Sequence, residues 1–419
     1  MTIASQISAW VTDHFADEKM FLAAMVRVPS DNPPGDCAVH ARMAQRALEA
    51  LGLAVEAYPV PQAEVTAVGM ISATNLIVRA RFGDAGPCIA LNAHGDVVPP
   101  GAGWTQDPYG AAILSDPVHG DVMFGRGVAV SKSDIATYTF AILALKSLAD
   151  SGTALNGMVE LHLTYDEETG GDIGPRWLLK QGLTHPDLAI GAGFSYAVTT
   201  AHNGCLHLQV KVRGKVGHAA MPESGVDALE AATQILTELY ASRESLKHRR
   251  SAVSGITHPT LNVGLISGGI NTNVVPDLVT FRIDRRIIPE ESPQVAEDEL
   301  RRIIQSAAEH CAPGIHVDIE RILLALPLPK LPGAQPLIDA LQRNGNVFLG
   351  TPIIEHGVPL YTDARHYTAA GIPTVLYGAG PRTLQEANGH GADECLRLED
   401  LRHATETVTA TLAELLAVK

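Results

Sequence analysis

Apolar residues along the chain follow helical spacing in some stretches and strand spacing in others. From Ile3 to about Val26 they recur at helical intervals (Ile7, Trp10, Val11, Phe15, Met20, Leu22, Met25). After a rigid loop, Pro29-Ser30-Asp31-Asn32-Pro33-Pro34-Gly35, a second helix is predicted from about Ala38 to Leu51, ended by Gly52. Strands follow at Ala54–Tyr58, Asn75–Arg81 and Cys88–His94, the pattern of an α/β sheet. The stretch Ile135–Leu148 is strongly apolar and reads as a buried helix, with Ser133 or Asp134 able to cap it. Gly157–Thr164 reads as a buried strand, followed by a helix near Pro175–Gln181 and a short strand at Leu188–Ile190.

From Cys205 the period changes to two. Leu206-His207-Leu208-Gln209-Val210-Lys211-Val212 alternates as a half-exposed antiparallel strand does. A helix is predicted at about Gly225–Arg243, strands at Thr260–Ile266 and Leu278–Asp284, a helix at about Ser292–His310 and a strand at Ile315–Ile322. That order, β-α-β-β-α-β, is the ferredoxin-like motif. The chain then returns to α/β character with helix Gln335–Asn344, strand Ile372–Tyr377 and helix Leu398–Leu416. The expected organisation is an α/β domain made of residues 1–203 and 323–419, interrupted by an α+β domain at 204–322.

A length of 419 residues fits two domains. The formal charge of −15 argues against nucleic acid and anionic membranes as partners. Five scattered cysteines with no C-x-x-C pair suit a reducing compartment and offer no thiolate zinc motif. Neither a secretory leader nor a long apolar span is recognisable, so a cytoplasmic protein is expected.

The strand ending at Thr164 runs into Tyr165-Asp166-Glu167-Glu168-Thr169-Gly170-Gly171. Adjacent carboxylates repel, so one pKa should rise or a cation should sit opposite. A metal ion would hold one acid and leave the other as general base for an activated water. By itself the stretch also reads as a solvated acidic loop. His94 and Asp96 stand two apart at a strand's C-terminal end, where open α/β sheets place ligands. The aspartate can orient a metal-binding imidazole, although His94 alone is equally an ordinary loop histidine.

Taken in order, several segments make the chain resemble the M20 metallopeptidase family, which includes acetylornithine deacetylase, succinyl-diaminopimelate desuccinylase, aminoacylase and glutamate carboxypeptidase. They are the Pro29–Gly35 loop, His94-Gly95-Asp96-Val97-Val98-Pro99, Gly125-Arg126-Gly127, Asp166-Glu167-Glu168, Gly217-His218-Ala219-Ala220-Met221-Pro222, Asn273-Val274-Val275-Pro276-Asp277, Thr362-Asp363-Ala364-Arg365 and His390-Gly391-Ala392-Asp393-Glu394. The resemblance implies a catalytic domain interrupted by a ferredoxin-like lid, which often dimerises. The implied reaction is hydrolysis of an amide bond in an N-acyl amino acid or small peptide-like compound. By the same resemblance His94, Glu168 and His390 are metal ligands, Asp96 supports His94, and Glu167 is the general base. His218 matches a lid histidine that stabilises the oxyanion, in dimeric members from the partner chain. Asn273, Arg286 and Arg365 match substrate-binding positions, the arginines suiting a carboxylate.

The sequence departs from the family at two ligands. Aligning Gly125-Arg126-Gly127 and Lys132 with the second motif puts Val130 where an aspartate bridges two metal ions. The turn Ile190–Tyr196 lacks the acid that normally supplies another ligand. Two cations ~3.5 Å apart need a bridge against their repulsion, so a single zinc is expected, with manganese or cobalt as alternatives. Asp134 is a candidate substitute ligand. A binding protein that no longer catalyses, or a metal-free reaction, are the alternatives for function.

Overall fold

The computed structural model describes residues 2–418. The chain forms two compact units, one containing the segments up to Thr200, Lys330–His356 and from Thr362 onward, the other Ala201–Pro329 with Gly357–Tyr361.

The first unit is built on a mixed eight-stranded sheet. Its strands lie in the order Val55–Pro59, Thr74–Arg81, Met158–Thr164, Cys88–His94, Leu188–Gly191, Thr374–Leu376, Ala197–His202 and Ile354–Val358. Cys88–His94 is central and runs parallel to both of its neighbours. Strands covered on both faces read as continuous apolar runs, and Ile89, Ala90, Leu91 and Ala93 are buried, as are Val159, Leu161 and Leu163. The helix Lys132–Asp150 is buried almost all round, against the central strands and the helices Ile3–Arg27 and Leu398–Leu415.

Neither Ser133 nor Asp134 caps that helix, contrary to the sequence reading. Its N-cap is Ser131, whose side chain makes no capping bond. The first turn is buried, so its polar side chains serve neighbouring segments instead. Ser131 Oγ accepts the N–H of His94 (3.0 Å), and Asp134 Oδ1 accepts that of Ala379 (2.7 Å).

A small three-stranded sheet, Ala112–Asp116, Gly120–Phe124 and Cys395–Arg397, does not emerge from the sequence pattern. Its strands are short and Ala112–Asp116 is mostly exposed, so no apolar run marks them. It joins the segment after His390 to the segment before Gly125, with Cys395 opposite Phe124.

The second unit has the ferredoxin-like order: strands Thr260–Gly268, Leu278–Ile287, Gly204–Arg213 and His316–Ala325, all antiparallel, with helices Ala228–Leu246 and Pro293–Glu309. Leu206, Leu208, Val210 and Val212 are buried in a core shared with both helices, each contributing roughly 1.5–3 kcal/mol. His207, Gln209 and Lys211 point to the other face and are half-buried. The first helix begins at Ala228 because Asp227 caps it, accepting the N–H groups of Leu229 and Glu230. Among the described residues no helix is long and apolar enough to cross a membrane.

Candidate active site

Two parallel strands end side by side, with His94 opposite Thr164. The acidic segment therefore leaves the sheet beside His94. Nδ1 of His94 donates to the carbonyl of Asp96 at 2.9 Å and lies 3.4 Å from Asp96 Oδ1. That turns Nε2 toward Glu167, 3.9 Å from its Oε2.

Glu167–Thr169 form a single tight turn. The fully buried Asp96 accepts the N–H of Glu167 (3.3 Å) and of Glu168 (3.2 Å) and a bond from Asn32 Nδ2 (2.9 Å). One ligand atom from each of His94, Glu167 and Glu168 lies within 4.8 Å of the others. His390 lies outside that cluster; its Nε2 is 3.6 Å from Glu168 Oε1 and its side chain is 59% exposed.

The Gly125-Arg126-Gly127 loop braces the His390 segment. The buried Arg126 guanidinium bonds Glu394 (2.6 Å) and the carbonyls of His390 (3.3 Å) and Gly391 (2.9 Å). Glu394 also accepts the N–H of Ala129 at 3.0 Å. His390 itself has φ 63°, a left-handed conformation uncommon outside glycine and held by this bracing.

The electrostatics are those of a site short of positive charge. Burial pushes Glu167 up to about 8, with His94 opposing and Glu168, Asp363 and Asp96 adding to the rise. Burial, opposed by Arg365, pushes Asp363 up to about 6. Burial and Asp363 hold Asp166 well above the ordinary carboxyl range. His94 is displaced upward because, against its burial, Asp96, Glu167 and Glu168 favour the imidazolium. Buried acids that must share protons are the donor set a cation would ionise.

Arg365, expected to bind substrate, lies beside the acidic turn. It is 3% exposed, and its guanidinium donates to the carbonyls of Thr362 (2.7 Å) and Gly170. Its observed contacts tie the acidic turn to the Thr362 segment. The neighbouring Asp363, a buried acid, and the buried amide Asn32 belong to this site too, and the sequence reading gave neither a role. Both lie inside quoted motifs, but neither has a local pattern that reveals its contacts. At Gly171, with φ +69°, a Cβ would fall 2.0 Å from Asp363 Oδ1, so the turn admits Asp363 only with glycine there.

Val130 is half-buried and offers no donor, and Ala192 stands in the acid-free turn. Asp134, the candidate substitute, is engaged with backbone groups. Its carboxylate is bonded to the N–H groups of Ala379 and Gly193, and burial pushes it up to about 7.

In the second unit, Gly217–His218 pairs with Val274–Val275, and the N–H of Ala219 bonds the carbonyl of Asn273 at 3.0 Å, bringing His218 and Asn273 together. Both are exposed on that unit. His218 Nδ1 accepts the N–H of Ala220 (3.1 Å), so Nε2 carries the proton. Arg286 is paired through Nε and Nη2 with Asp284 (3.0 and 3.1 Å) and lies 5.9 Å from the centre of the Tyr361 ring.

Residues 90–414 match the family model for peptidase family M20/M25/M40. The chain belongs to this family. Enzymes of the family are metal-dependent hydrolases of amide bonds. Succinyl-diaminopimelate desuccinylase of Gluconacetobacter diazotrophicus is 27% identical over 405 residues, covering 94% of this chain and 95% of that enzyme. Acetylornithine deacetylase of Proteus mirabilis is 31% identical over 260 residues, 61% of this chain and 62% of that enzyme. The Saccharomyces cerevisiae dipeptidase Dug1p superposes with a TM-score of 0.78 at 14% identity, covering 99% of both chains, a likeness of fold. A Bacillus subtilis M20 peptidase, described as dinuclear metal-binding, superposes at 0.64 with 16% identity, covering 97% of this chain and 99% of that one.

Proposed function

We propose that this member of the family hydrolyses the amide bond of an N-acyl amino acid or small peptide-like substrate at a site holding one divalent cation. The observation that carries the reading is the donor set. Imidazole and carboxylate groups of His94, Glu167 and Glu168 converge within 4.8 Å, and His390 stands 3.6 Å from Glu168. His94, Glu168 and His390 would hold the cation, two histidines and one glutamate being a sufficient catalytic zinc set. A second cation does not fit these residues, because Val130 and Ala192 donate nothing and Asp134 is bonded elsewhere.

When bound, the cation supplies Lewis acidity at the amide carbonyl and ionises its neighbours. Glu167, left as the carboxylate not needed for ligation, takes the proton of the attacking water and returns it to the leaving amine. Asp96 holds Glu167 and Glu168 by their backbone N–H groups and keeps His94 in the ligating tautomer. His218, with its proton on Nε2, is suited to donate to the developing oxyanion. Asn273 and Arg286 are retained as substrate contacts, whereas Arg365 acts as a positioning residue for the acidic turn.

The lid role of residues 204–322 and dimerisation through it belong to the same proposal. So do zinc as the ion, with manganese and cobalt as alternatives, and a cytoplasmic location.

The test is Glu167→Ala assayed on a panel of N-acyl amino acids. A fall in kcat on the order of 10²–10⁴-fold with KM little changed is expected for a lost general base. A change below about threefold would remove Glu167 from that role.

A further inference from the structure

The face of the second unit's sheet opposite its core carries a second group of donors, the fully buried Cys205 among them. Cys205 and His207 are two apart on the strand Gly204–Arg213, so both side chains leave the same face. The register sets Asp284 opposite His207 and Arg286 opposite Cys205 on the strand Leu278–Ile287. Cys205 Sγ is 3.2 Å from His207 Nε2 and 3.7 Å from Asp284 Oδ2, and His207 Nε2 is 2.9 Å from Asp284 Oδ2.

We propose that Cys205, His207 and Asp284 form a binding site for a thiophilic divalent cation such as zinc, with donors distinct from those of the amide-hydrolysing centre. The donor types are those such a cation takes. Bond lengths of about 2.0–2.3 Å at tetrahedral angles put donor atoms roughly 3.4–3.6 Å apart. The three observed separations bracket that value, so the site needs adjustments of a few tenths of an ångström and no strand shift. The donors stand on paired strands, which hold them more firmly than loops would.

Arg286 grips Asp284 through both carboxylate oxygens, orienting it and offsetting its charge. That pairing lets a thiol and a carboxylate share a partly buried place without a cation. His207 and Asp284 keep about a third of their side-chain surface exposed, 35% and 29%, which gives an ion a way in. On binding, the thiol loses its proton to solvent and the imidazole proton moves from Nε2 to Nδ1, leaving Sγ, Nε2 and Oδ2 as ligand atoms. The fourth position stays open for water or an exogenous ligand.

Cobalt(II) is the probe, because a thiolate-to-cobalt charge-transfer band requires a sulfur donor and the amide-hydrolysing centre offers only nitrogen and oxygen. Titration of the full chain should raise this band to a plateau by two equivalents, the amide-hydrolysing centre taking the other, and zinc should abolish it. Cys205→Ser should remove the band, Asp284→Asn should weaken binding at least tenfold, and His390→Ala should leave it intact. The absence of a band in the unaltered chain would overturn the site, whatever the folding of the variants. A band that persists in Cys205→Ser would assign it to another cysteine and overturn it equally.

Discussion

The carboxylate of Asp96 accepts the backbone N–H of Glu168 at 3.2 Å, while the same group holds Glu167 and flanks His94. One buried side chain therefore sets the positions of the base and of two proposed ligands. Asp96→Asn keeps the volume but turns one acceptor into an N–H donor facing another N–H. Loss of such an orienting partner costs about 10–100-fold in metal affinity or activity. Cation titration and kcat/KM should both fall in that range, and unchanged values would reduce Asp96 to scaffold.

Cation binding should be linked to proton release. Without a cation, burial places Glu167 at about 8, so it is mostly protonated below that pH, and the carboxylates around His94 raise it from its ordinary value. A cation must displace these protons, so affinity should strengthen as pH rises toward 8. Titration calorimetry of Cys205→Ser protein in buffers of different ionisation enthalpy reads the protons directly. Affinity independent of pH between 6 and 8 would contradict the arrangement.

Asp134 makes a separate statement about stability. Its ordinary value is 3.8 and burial raises it to about 7 in the fold. The folded state therefore favours the protonated acid, and this contribution is complete below pH 3.8 and lost as pH rises through 7. Asp134→Asn stays neutral throughout. Its Tm relative to the unaltered chain should be higher at pH 8 than at pH 5, with cation content unchanged. An equal difference at both pH values would show that the acid does not titrate in the fold.

The sequence pattern carried much of the architecture because both sheets have strong periodic signals. Ile89–Leu91 is apolar on both faces, and Leu206–Val212 alternates without a break. Weak signals went unread where short strands are half-exposed, as at Ala112–Asp116. Side-chain roles were least legible. Arg365 sits in a motif, yet its guanidinium donates to the carbonyls of Thr362 and Gly170. Asp134 is a helix-cap residue type, but its carboxylate meets Ala379, 245 positions away. Asn32, Asp96 and Thr169 come from three segments, and only the fold brings them together.

The amide-hydrolysing centre is proposed to hold one cation. The most direct test is elemental mass spectrometry of metal per chain, after zinc loading, in Cys205→Ser protein so that only this centre is counted. One tight equivalent is predicted, and it should be lost when His390→Ala is added. Two equivalents would mean that another group supplies the missing bridge, and none, even after loading, would contradict a metal-dependent site.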